Sequence, residues 1–202
     1  GSPRCTGIWA RAIRSVLEKV KLPLENMPAY APFGSDDPHA VARMANALRA
    51  KVPELDQTWE KYNQIYLATG VDDAIQIMTQ FPVAKFEDLK GRKIGASGTM
   101  GAYMRNTGAV VVTSSMADAY TAIKSGLYDG YTTSWSLGFS YKIYEAAPNL
   151  TKVNFGSLAG TGLSFNKTMW NKLPAHAQAI IREVAAEWPT RYADIVVAKR
   201  ER

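Results

Sequence analysis

Apolar residues recur along the chain with two different periods. Between Pro38 and Pro53 they fall at Val41, Met44, Ala45 and Leu48, the spacing of one helix face. Asp37 supplies a cap for that helix, and Pro38 suits its first position. An earlier helix is expected over Ile8 to Lys19, on a less regular apolar pattern. From Leu22 to Pro38, four prolines predict an extended loop.

The pattern then changes from helical to pleated. Tyr62, Ile65, Tyr66, Leu67, Val71, Ile75, Ile77 and Phe81 predict two strands between Lys61 and Pro82, the second from about Ala74 to Gln80. KIGA at 93–96 reads as a short buried strand, Thr99 to Thr107 as a helix ended by Gly108, and AVVVT at 109–113 as the next strand. Ser115 and Asp118 form a capping-box variant for a helix from Met116 to Lys124, closed by Gly126, with a third strand over Leu127 to Thr132. Strand, helix, strand, helix, strand in this order predicts an α/β fold with a parallel sheet and right-handed crossovers. Beyond Pro148 the pattern gives strands at Lys152 to Phe155 and Gly162 to Phe165, and a short helix from Lys167 to Lys172. A long helix follows from Pro174, carrying Ile180, Ile181, Val184, Ala185 and Trp188 on one side and a kink at Pro189.

The common catalytic signatures are missing. No GxSxG elbow, Walker lysine loop, HExxH or CxxC pair occurs. His39 and His176 each fall in the first turn of an expected helix, and neither has a Cys, Asp or Glu at metal-ligand spacing. Enzyme activity would need a constellation that no motif announces, so the expectation is a protein that is not an enzyme and carries no metal or cofactor. The glycines of GASGTMG, Gly95 to Gly101, do not follow the dinucleotide fingerprint, and no acid stands at the ribose-binding distance.

That loop nevertheless leaves a strand and enters a helix, where small residues and free amides suit an anion or a polar oxygen. Ser97, Gly98 and Thr99 are candidate ligand donors there, and Ser114 and Ser115 open the next helix in the same way. YTTSW, Tyr131 to Trp135, adds a third loop, whose Tyr131, Thr133 and Trp135 could stack on and hydrogen-bond a small organic solute. Tight turns and core aromatics are the competing reading of all three loops.

Charge and cysteine alter this picture little. The formal charge is +6, from 24 Lys and Arg against 18 Asp and Glu. Arg4, Arg11, Arg14, Lys19 and Lys21 stand against Glu18 alone, so most of the excess lies in the first 21 residues, and the body is nearly neutral. No nucleic-acid motif accompanies it, so no nucleic-acid partner is expected. The single cysteine, Cys5, forms no intrachain disulfide. No run of about 18 apolar residues could span a bilayer, and the start lacks the apolar core of a signal peptide, which leaves export open.

Four motifs in series resemble one family. FEDLKGRKIGASG at 86–98, AYTAIKSGLYDG at 119–130, YEAAPNLTKV at 144–153 and FNKTMWNKLPAHAQAII at 165–181 are similar, in order and spacing, to the DctP-type solute-binding proteins of TRAP transporters. The likeness covers roughly residues 22–190. It implies a type II periplasmic-binding-protein architecture of two α/β lobes, a periplasmic location, a small organic acid held between the lobes, and a membrane TRAP permease as partner. On this basis residues 1–84 form a partial first lobe and connecting strand, 85–155 the second α/β lobe, and 156–202 a return strand with long helices across both.

Two departures from the family matter. The further βα units that usually build much of the first lobe have no counterpart here, which leaves that lobe incomplete and its sheet edge open to a homodimer. The alternative reading is a truncated fragment that binds no solute and acts as a self-associating or interaction module. Second, the family's DLKG-x-KI is followed by an arginine that pairs with the ligand carboxylate, where this chain has Gly95. Arg92 and Arg105 are not obvious substitutes. After YDG, where members carry a polar Gln, Glu or Asn cluster, stand Tyr131, Thr132, Thr133, Ser134 and Trp135. The implied ligand is a monocarboxylate or aromatic acid more than a C4-dicarboxylate.

Overall fold

The computed structural model describes residues 8–12 and 33–200. Cys5, residues 13–19 of the first expected helix, and most of the proline-rich loop lie outside them. The described chain forms two sheets. Strands β1 (Ile8–Ala12), β8 (Leu158–Asn166) and β2 (Gln64–Asp72) make one in the order β1-β8-β2, with both pairings antiparallel. The second runs β5-β4-β6-β3-β7, from β3 (Ile75–Thr79), β4 (Lys93–Ala96), β5 (Val110–Thr113), β6 (Gly130–Ser134) and β7 (Asn149–Thr151).

Local signals explain most of the helices. In α1 (Pro38–Lys51) the Asp37 carboxylate accepts from the His39 amide at 2.8 Å, and the helix ends before Pro53, which disfavours helical backbone at Val52. Helix α2 (Glu54–Lys61) was not expected; its Leu55 and Trp59, four residues apart, bury one narrow stripe. A 3₁₀ turn covers Gly98–Met104 where a longer helix was expected. A second one, over Met116–Asp118, leads into α3 (Ala119–Lys124). The Ser115 hydroxyl there donates to Asp118 Oδ2 at 2.7 Å and not to the backbone, so no capping box closes. The short helices α4 (Trp135–Ser140), α5 (Ile143–Ala146) and α6 (Lys167–Trp170) are followed by α7 (Ala175–Arg200).

Several expectations are corrected. Ile8–Ala12 is a strand, not the start of a helix, because pairing with Gly162–Phe165 of β8 overrides weak local preference. The third strand of the α/β run begins at Gly130 and not Leu127, since the Leu127 amide is still bonded to Ala122 O at the end of α3. The strand expected over Lys152 to Phe155 lies earlier, at Asn149–Thr151. The strand pairings are parallel only among β4, β5 and β6; β3 is reversed and pairs antiparallel with both β6 and β7. In α7 the buried positions are Ala185, Pro189, Ala193 and Val196, while Ile180 and Val184 are exposed. Small side chains allow α7 to pack closely on β2 and α1.

The centre of the second sheet is buried on both faces, which is why every residue of β3 and β6 is inaccessible, while β5 at its edge is largely exposed. Ile75, Ile77, Ile94 and Ala96 join Met100, Tyr103 and Phe155 on one side. Met78, Tyr128 and Tyr131 join Ala119, Ile123 and Ile143 on the other. The chain crosses between the sheets twice, from β2 into β3 and from β7 into β8. Those crossings are stitched together, with the Ile75 amide on Gly156 O and the Phe155 amide on Ile75 O, each at 3.0 Å.

Candidate functional site

The carboxyl ends of β4, β5 and β6 bring together most of the residues that sequence singles out. Tyr131 donates its hydroxyl to Ser114 O at 2.9 Å, and the Ser114 and Tyr128 hydroxyls lie 3.0 Å apart. Burial pushes the Tyr131 phenol up to about 12 despite these hydrogen bonds, and raises Tyr128 as well. Both tyrosines are therefore neutral at physiological pH, and Tyr131 acts as a donor.

Accessibility divides the predicted set. Ser97, Gly98 and Ser114 are half-buried, and Ser115 is exposed. Thr99 is buried with its hydroxyl unpartnered among the described residues. Tyr131 and Thr133 are fully buried, so they support the site from the core and present no surface to a solute. Thr133 donates to Ser134 O at 3.2 Å and approaches Met116 Sδ at 3.7 Å. Trp135 is half-buried and lines an open cleft of about 340 Å³.

Gly95 is the keystone of this edge. A Cβ there would lie 2.5 Å from Tyr131 Cδ2 and 2.7 Å from Tyr128 Cε2, so the two rings occupy the space that any side chain at 95 would need. Arg92 is not a substitute, since its guanidinium sits 4.4 Å from the Phe81 ring centre, and Arg105 is exposed. His39 ties α1 to α7 through Asp194 at 3.2 Å, and His176 is exposed. No group of three metal-binding side chains occurs among the described residues, and no described helix is long and apolar enough to cross a membrane.

Sequence reasoning missed the crossing residues. Asp73, buried, accepts from the Ser136 amide at 3.1 Å and the Ser136 hydroxyl at 2.5 Å, and so fixes the start of α4, where Trp135 stands. Gln76 and Asn154 form a closed pair, with Gln76 Nε2 donating to Asn154 Oδ1 at 2.7 Å and the Asn154 amide donating to Gln76 Oε1 at 2.9 Å. Two adjacent acids, Asp72 and Asp73, between two apolar strands were the available signal, because buried carboxylates need dedicated donors.

Residues 25–202 match the model of DctP, bacterial extracellular solute-binding protein family 7. A C4-dicarboxylate-binding periplasmic protein of Shewanella loihica is 30% identical over 119 residues, which cover 58% of this chain and 34% of that protein. The corresponding protein of Rhodobacter capsulatus is 32% identical over 133 residues, 64% of this chain and 39% of its own length. The matched segments thus span little more than a third of these relatives. Among solved structures, a TRAP periplasmic solute-binding protein of Pseudomonas aeruginosa with bound L-malate superposes with a TM-score of 0.78 at 20% identity, covering 96% of this chain and 67% of that one. A Bordetella pertussis extracytoplasmic solute receptor binding pyroglutamic acid gives 0.79 at 23% identity, over 96% and 63%. The mixed α/β architecture is that of these periplasmic binding proteins, of which the chain spans about two thirds.

Proposed function

The chain belongs to the DctP family of bacterial extracellular solute-binding proteins, and on that premise we propose that it is the extracytoplasmic solute-binding component of a TRAP-type uptake system. It captures a small organic acid between two lobes and delivers it to the membrane permease subunits, without chemical change to the acid. The two stitched crossings form the hinge about which the lobes close. Residues 85–155 supply the second lobe, and its periplasmic location follows from the same role.

The finer part of the proposal concerns the ligand. Gly95, closed over by Tyr128 and Tyr131, carries the argument for a monocarboxylate or aromatic acid over a C4-dicarboxylate. No cationic side chain can project from that position, so the site lacks a planar bidentate partner there. Half-buried hydroxyls at Ser97 and Ser114, and a half-buried Trp135 ring on the open cleft, favour a ligand of lower charge and larger apolar area. Native mass spectrometry and thermal shift of the full chain against a panel of organic acids test the function. One-to-one adducts with a rise in Tm are expected, and the absence of both for every acid would overturn it.

A further inference from the structure

An acid held without an arginine at position 95 still needs a cation, and the cleft beside Trp135 contains two. Lys152 leaves the end of β7 and Arg200 ends α7, and both line the same cleft of about 340 Å³. That volume falls at the small end of the range usual for small-molecule sites. Neither cation forms an ion pair with another described residue.

The remaining polar groups of the cleft are mostly spent. Both Asp73 oxygens accept from Ser136, and Gln76 is closed upon Asn154. Asp36, exposed at the rim before α1, is the lining carboxylate whose oxygens accept no side-chain or backbone donor among the described residues. Trp135, with Leu150 and Ala74, supplies an apolar wall.

We propose that Lys152 and Arg200 together hold the ligand's carboxylate in this cleft, with its ring against Trp135 and a hydroxyl or ring N–H of the ligand donating to Asp36. The inference rests on the solute-binding function proposed above and names the substrate class: a ring-bearing monocarboxylate with one further hydrogen-bond donor. Asp73 keeps its charge while accepting from the neutral Ser136, so the lining is neutral overall and Lys152 with Arg200 acts locally on one carboxylate. A linear dicarboxylate would place its second carboxylate toward Asp36, where like charges repel.

Isothermal titration calorimetry of the full chain with 4-hydroxybenzoate, benzoate and succinate tests the assignment. Lys152→Met and Arg200→Met are each expected to weaken 4-hydroxybenzoate about tenfold, the loss of one charge-assisted hydrogen bond. Asp36→Asn should tighten succinate and remove the advantage of 4-hydroxybenzoate over benzoate. All three side chains are exposed, so thermal melts should match the parent chain. If the parent binds these acids and both Met variants bind equally well, the acid is held at the strand-end hydroxyls instead, and this assignment falls while the solute-binding function stands. If the parent binds none of the three, this assignment falls, and the solute-binding function falls with it only when the wider panel of organic acids is silent as well.

Discussion

Tyr131 lies so close to Gly95 that a Cβ on the glycine would fall 2.5 Å from the tyrosine Cδ2 atom. The pair joins adjacent parallel strands at one register position, and it converts a sequence departure into a structural one. The ring makes the missing side chain at 95 a steric requirement. Gly95→Ala should therefore lower stability by about 1–3 kcal/mol, the usual cost of overpacking a filled core. Urea denaturation measures it, and the cost should shrink in a Tyr131→Val background, where the ring is gone.

The same burial fixes how Tyr131 titrates. Its pKa is raised to about 12, so the folded state holds its proton more tightly than the unfolded chain does. Stability from this group is full below about pH 10 and falls as pH rises from there toward 12. Absorbance titration near 295 nm, an ordinary tyrosinate wavelength, should show a late component that Tyr131→Phe removes.

Asp73 anchors the start of α4 from the crossing between the sheets. Removing its carboxylate in Asp73→Ala leaves the buried Ser136 amide without its acceptor and the hydroxyl with only the long Ser134 contact of 3.4 Å, at an expected cost of about 2–3 kcal/mol. Asp73→Asn, which keeps one acceptor oxygen, should cost less. Chemical denaturation of both variants decides this, and equal costs would show that the cap is not held by hydrogen bonding.

At the other end of the chain, Asp37 caps α1 through the His39 amide. Asp37→Ala should destabilise by about 1 kcal/mol and Asp37→Ser by much less, because serine restores an acceptor. Thermal melts of the pair give the comparison.

Local signals made much of this molecule legible from sequence. Asp37 with Pro38 placed α1, and KIGA placed β4, because each depends on neighbours within a turn or a strand. β1 was misread as helix because its partner, β8, lies across the whole chain and nothing local to Ile8–Ala12 announces it. α2 was missed because Leu55 and Trp59 are its only buried positions. In α7 hydrophobicity pointed to Ile180 and Val184, whereas close packing chose Ala185, Pro189 and Ala193. The strand-end hydroxyls of the site followed from local turn chemistry. The proposed cations did not, since Lys152 and Arg200 line one cleft only because α7 packs back along β2 and α1.

The ratio of two dissociation constants tests the central claim most directly. Calorimetric titration of the full chain with benzoate and with succinate should give an affinity for benzoate about tenfold or more above that for succinate, since succinate's second carboxylate finds no arginine at position 95 and is repelled by Asp36. Succinate binding as tightly as benzoate, or more tightly, would contradict the account.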